Sequence, residues 1–167
     1  ATGSVLALPE GKGSDTACGR AELDFALANA GVYHAWARVR WSNSCGNSVG
    51  FQVDTAPGSV VGQDAVFGTW HWIQAGAFRL PPGNHTITLS EREDGVAVDQ
   101  ILLSTDPAFV PSAPIQTDTA NVDIRRFADS FNRSPGHGLK QWDFPSGNWE
   151  VAFALDPNRI PNQYSLV

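Results

Sequence analysis

Two short stretches hold most of the side chains suited to grip a polar ligand. GQDAVFGTWHW, residues 62–72, brings together Asp64, Trp70, His71 and Trp72, and SEREDG, residues 90–95, brings together Glu91, Arg92, Glu93 and Asp94. A pyranose ring presents an apolar face, which an indole covers, and hydroxyls that call for a few fixed carboxylates, amides or guanidinium groups. Trp70 and Trp72 lie two residues apart and so share one face of any strand they occupy. They serve either as a stacking platform or as core filling, and core is the expectation for at least one of them. Arg92 offers a planar fork to hydroxyls or to a uronic carboxylate, against the plainer reading of a solvated charged turn. WSNSCGNS, residues 41–48, adds Asn43 and Asn47, although Asn is also an ordinary turn former. Trp36 falls by alternation beside His34 and Arg38, either as a platform on a sheet surface or as a ring covered by a neighbouring segment.

Other chemistries fail on spacing. GNSVG, residues 46–50, fits the nucleophile-elbow pattern, but that turn needs a helix after Ser48, and the residues that follow alternate as a strand. The acidic cluster from Glu91 to Asp94 is too local to flank a cleft as a glycosidase carboxylate pair does. No Cys/His set has zinc-site spacing, and GKGS lacks the phosphate-loop pattern. No catalytic residue is therefore expected. The formal net charge is −6 and the eleven Lys and Arg are mostly scattered, which leaves no nucleic-acid footprint. No apolar run approaches the roughly 18 residues of a membrane span. The expectation is a soluble chain, secreted or extracellular, with cell surface and periplasm included. NHT at Asn84 and NRS at Asn132 fit the N-glycosylation acceptor pattern.

The elements that must position these groups read as strands. In RAELDFAL, Leu23, Phe25 and Leu27 face one way while Glu22 and Asp24 face the other. GVYHAWARVRW puts Tyr33, Ala35, Ala37, Val39 and Trp41 on one face. SVGFQVD, TWHWIQAGAFRL, LPPGNHTITLS and VAVDQILLS continue the series, with Gly, Pro and Asn between them. Short alternating runs at close intervals predict an all-β antiparallel sandwich. Six Trp and nine Phe suit its core. Cys18 and Cys45 both fall in loop-like stretches, and the reading taken is a disulfide that stiffens the Asn43–Asn47 loop, with two free thiols as the alternative. Closing a loop of roughly 28 residues would contribute about 3 to 4 kcal/mol. The Pro-rich stretch after Ser104 predicts a sandwich over 1–112, a linker over 113–121 and a C-terminal β extension over 122–167. That last piece is too short for a core of its own. It packs on the sandwich, completes a sheet in another chain, or opens a larger second domain.

The run GVYHAWARVRW, followed by NSVGFQVD, TWHWIQAGAFRLPPGNHTITLSERED and VDQILLSTDPAFVP, resembles the galactose-binding-like β-sandwiches, in particular carbohydrate-binding module families 35 and 6, over about residues 4–111. The tail from Phe127 is similar, more loosely, to the first strands of concanavalin-like jelly rolls. The resemblance implies a jelly-roll sandwich that binds a polysaccharide or glycan through its loops without catalysis, as part of a larger secreted polysaccharide-active protein. A structural or adhesive domain that assembles with other chains is the alternative. The family often carries a structural calcium, and Asp99 matches a position beside that ion. The acidic Glu-Ala-Glu opening strand that supplies its other ligands is absent here. No cofactor is otherwise expected. The sugar-binding residues expected from the loops are Asn43, Asn47, Asp64, Trp70, His71, Trp72, Arg92, Glu93 and Asp94.

Overall fold

The computed structural model describes residues 3–11, 19–112, 126–129, 142–146 and 150–154. Its strands, in chain order, are β1 Gly3–Leu8, β2 Arg20–Leu27, β3 Gly31–Trp41, β4 Ser48–Val53, β5 Ser59–Gly62, β6 His71–Leu80, β7 Gly83–Ser90, β8 Val96–Ser104, β9 Arg126–Asp129, β10 Trp142–Ser146 and β11 Glu150–Ala154. One sheet runs β11-β1-β8-β3-β6, with β9 alongside β8, and the other runs β10-β2-β7-β4-β5. All strand pairings are antiparallel. The fold is the expected all-β sandwich. No helix among the described residues is long and apolar enough to cross a membrane.

Alternation builds the core as the sequence predicts. Tyr33, Ala35, Ala37, Val39 and Trp41 of β3 meet Leu23, Phe25, Phe51, Ile87 and Leu89 of the other sheet in a single cluster. Trp41 is the largest side chain sealed completely from solvent among the described residues, and truncating a residue so placed costs about 3 to 5 kcal/mol.

Two strands have no counterpart in the sequence reading. SVLAL in β1 does not alternate because both of its faces are covered: Leu6 and Leu8 join the core, while Val5 and Ala7 pack with Ala97 on the outer face. A strand buried on both faces reads as a plain apolar run, without period 2. β5 is a short edge strand that sends only Val61 inward, too little for a pattern.

The C-terminal strands add to both sheets. β9 pairs with Ile101–Ser104 of β8, β11 pairs with β1, and β10 pairs with β2. Residues 113–121, expected to be a linker, lie outside the described residues.

The registers decide which loops meet. Ser90 lies opposite Arg20 and Gly50, Trp41 opposite Val96, Val39 opposite His71, and Ser48 opposite Gly62. The connections 42–47, 63–70 and 91–95, together with the turn at Pro9–Gly11, therefore gather at one end of the sandwich. The connections 28–30, 54–58 and 81–82 gather at the other.

Candidate functional site at the loop end

Residues from separate connections form one hydrogen-bonded network at the loop end. The Asn47 amide and the Ser48 hydroxyl both donate to Glu93 Oε2, at 2.9 and 2.7 Å. Arg92 Nη1 donates to Glu93 Oε1 at 2.7 Å and also to the Ser48 oxygen. The Asn47 side-chain amide donates to the Asp64 carbonyl at 2.9 Å, and the Gln63 amide returns a bond to the Asn47 carbonyl at 2.7 Å. Asp64 continues the network, taking the Val66 amide on Oδ1 and facing His71 Nε2 with Oδ2, both at 3.0 Å. The other ring nitrogen of His71 faces the Thr69 carbonyl at 3.0 Å. Both partners of that ring are acceptors, so both bonds form only when it carries two protons.

The electrostatics fit this geometry. Burial alone would raise the Asp64 carboxyl, but the Val66 amide, the hydrogen bond and charge of His71, and the indole of Trp41 outweigh it and hold the group below its ordinary value. Asp64 is thus a committed anion beside the ring that stacks edge-on against Trp41, 6.0 Å between centroids. Arg92 and Glu93 keep side-chain exposures of 38% and 23%, so the pair reaches solvent as a donor next to an acceptor.

Glycines let the loops close on one another. A Cβ on Gly46 would overlap the Asp94 carbonyl, and one on Gly95 would overlap the Ser42 hydroxyl. Gly95 also sits at φ 70°, in the left-handed region open to glycine.

The remaining expected residues take no part in this network. Asn43 donates to Glu10 Oε1 at 3.1 Å and accepts the Cys45 amide on Oδ1 at 2.8 Å, a turn-forming use of its side chain. Asp94 takes the Gly11 amide at 2.6 Å, so these two residues tie down the Pro9–Gly11 turn. Trp70, the last residue of the 63–70 connection, and Trp72 of β6 both lie outside the sandwich core and outside this network. Trp72 lies opposite Arg38 on β6, and Trp70 packs on Val5, Ala7 and Ala97 across the outer face of the first sheet, with the Arg38 guanidinium 5.2 Å from its ring centroid. Trp36 is on that face too, half-buried, with its Nε1 enclosed and unpartnered.

Asp99, the calcium expectation, pairs with Arg38 on the outer face. Burial raises its carboxyl and prevails over the opposing charge and hydrogen bond of Arg38. Among the described residues no three His, Cys, Asp or Glu side chains gather as a metal centre. The expected Cys18–Cys45 disulfide is not part of the described structure. Cys45 is a free, exposed thiol on the turn shaped by Asn43, and Cys18 lies outside the described residues. Ser48, the serine of the elbow-like pattern, opens strand β4 and is fully buried, with no helix after it. Asn84 is exposed at the start of β7, whereas Asn132 lies outside the described residues.

Sequence reasoning missed Ser48, Gln63 and Glu10 as partners in these networks, and it missed Phe67, 40% exposed near the tip of the 63–70 connection. Only Phe67 left a signal: an aromatic between small residues in a polar loop. No protein-family model significantly matches this chain, and no curated protein or solved structure does so either.

Proposed function

We propose that the loop end binds a glycan by hydrogen bonds and stacking, with no bond made or broken, as the resemblance to carbohydrate-binding modules implies. In this reading the chain is the sugar-binding part of a secreted polysaccharide-active protein. The observation that supports it is the convergence of Asn47, Asp64, Arg92 and Glu93 from three connections, with His71 from the start of β6, into one network that reaches solvent through the Arg92–Glu93 pair. A guanidinium donor beside a carboxylate acceptor matches two neighbouring ring hydroxyls, one accepting and one donating. The network is already bonded together before any ligand arrives, which lowers the ordering cost of binding. No step of this reading runs through a metal ion.

Affinity electrophoresis through gels cast with polysaccharides tests it. At least one gel is expected to retard the chain, and Arg92→Ala is expected to weaken that retardation about tenfold, equivalent to about 1.4 kcal/mol. The same substitution should change unfolding stability by less than about 1 kcal/mol, since the pair is surface-exposed. Passage through every gel without retardation, coupled with concentration-dependent assembly, would overturn the proposal in favour of a structural or adhesive domain.

A further inference from the structure

The connection 63–70 carries an apolar tip that the polar network leaves unused. Val66 and Phe67 are 43% and 40% exposed, next to the exposed Ala65. The backbone beneath them is fixed at several points. Phe67 forms an isolated parallel bridge with Trp41, and the Gly68 amide donates to the Trp41 carbonyl at 2.8 Å. Arg40 Nε donates to the Gly68 carbonyl at 3.0 Å, and Asp64 holds the Val66 amide. An exposed phenyl ring on so constrained a loop presents a flat apolar surface at little ordering cost. Asn47, bonded both to Asp64 and to Glu93, ties this loop to the Arg92–Glu93 pair.

Charge narrows what fits there. Arg92 already pairs with Glu93, and His71 already faces Asp64. An incoming carboxylate would therefore meet the carboxylates of Glu93 and Asp64 with the Arg92 guanidinium already paired, whereas an uncharged hydroxyl finds donors and acceptors together.

Resting on the glycan-binding reading above, we propose that Phe67 is the stacking platform of this site and that the site takes uncharged pyranosides in preference to uronates. A pyranose ring lies on the phenyl face while its hydroxyls address Arg92 and Glu93.

The test compares gels of neutral polysaccharides (galactan, xylan, mannan, glucan) with gels of polygalacturonate and alginate at matched ionic strength, using the whole chain, Phe67→Ala and Phe67→Trp. A neutral gel is expected to retard the unsubstituted chain at least tenfold more strongly than either polyuronate. Phe67→Ala should lose at least tenfold in that retardation with its thermal unfolding unchanged, and Phe67→Trp should keep it. If Phe67→Ala is retarded as strongly as the unsubstituted chain, or polyuronates are preferred, the glycan reading stands and this assignment falls. Retardation by no gel at all removes the reading itself, and this assignment with it.

Discussion

Each end of the sandwich carries a histidine held between a carboxylate and a backbone carbonyl, and the two settings differ in what surrounds the ring. At the loop end His71 lies 3.0 Å from Asp64 and 3.0 Å from the Thr69 carbonyl. At the opposite end His85 lies 2.7 Å from Asp54 and 2.9 Å from the Pro81 carbonyl. His85 is 5% exposed at its side chain and packs against Phe25, 5.5 Å between centroids. It joins the β6–β7 turn to the end of β4, and the Thr86 amide donates to the second Asp54 oxygen at 2.8 Å. His71 is 17% exposed, and its Asp64 partner, at 32%, hands the network on toward Asn47, Glu93 and Arg92. One motif thus closes on itself and pins two strands, while the other is a link in a chain of polar groups that ends at solvent. A histidine–carboxylate pair does not identify a site by itself; what its remaining hydrogen-bonding capacity faces does.

The closed pair should matter most to stability. His85→Ala removes a charge-assisted hydrogen bond and leaves a void beside Phe25, and is expected to cost about 2 to 3 kcal/mol in urea unfolding. Its pH signature has a definite sign. Burial opposes the charged ring, but the hydrogen bond to Asp54, the Pro81 carbonyl and the Asp54 charge prevail and raise its pKa. A raised folded value means that the contribution is complete below the unfolded value of about 6.5 and is lost as pH rises through the folded one. As pH rises above about 6.5 the unsubstituted chain should therefore lose more stability than His85→Ala does. Parallel pH profiles would break the contrast between the two ends.

The open pair should show the reverse. His71→Gln is expected to weaken glycan retardation about tenfold while costing no more than about 1 kcal/mol on unfolding, because an amide of similar reach keeps one partner. If it destabilised the chain as much as His85→Ala and left retardation intact, the loop-end pair would be another pin.

The sequence made the faces of strands legible and left their neighbours hidden. Tyr33 to Trp41 could be sorted because one side of β3 is apolar at every second position, and period 2 follows from the pleat. The loop residues Asn47, Asp64, His71, Arg92 and Glu93 could be nominated by type. That Glu93 holds the Asn47 amide 46 residues away could not be read, since it depends on the register of β4 against β7 and β7 against β2. Trp70 and Trp72 show the limit most clearly: a spacing of two fixes that they share a face, but not which face. Trp70 lies on the outer side of the first sheet, where Val5, Ala7 and Ala97 supply the apolar surface that it covers. β1 was invisible for the related reason that neither of its faces is polar.

Backbone strain sharpens the comparison of the two ends, at the smallest expected effect. Among the described residues each end has one non-glycine residue in the left-handed region, Gln63 at φ 68° in the loop-end connection and Asp54 at φ 51° at the other end. Asp54 is compensated, because its side chain takes both His85 and the Thr86 amide. Gln63 is tied by its backbone amide to Asn47, and its exposed side chain makes no hydrogen bond among the described residues. Left-handed geometry costs a side-chain-bearing residue about 1 kcal/mol, and glycine relieves this while adding a comparable entropy to the unfolded chain. Gln63→Gly should therefore shift unfolding by no more than about 0.5 kcal/mol in either direction. Asp54→Gly should destabilise by about 2 kcal/mol, since the loss of two side-chain hydrogen bonds outweighs the relief. Urea unfolding of the pair decides it: equal shifts would mean that His85 and Thr86 are indifferent to Asp54, and the closed end would no longer be a pin.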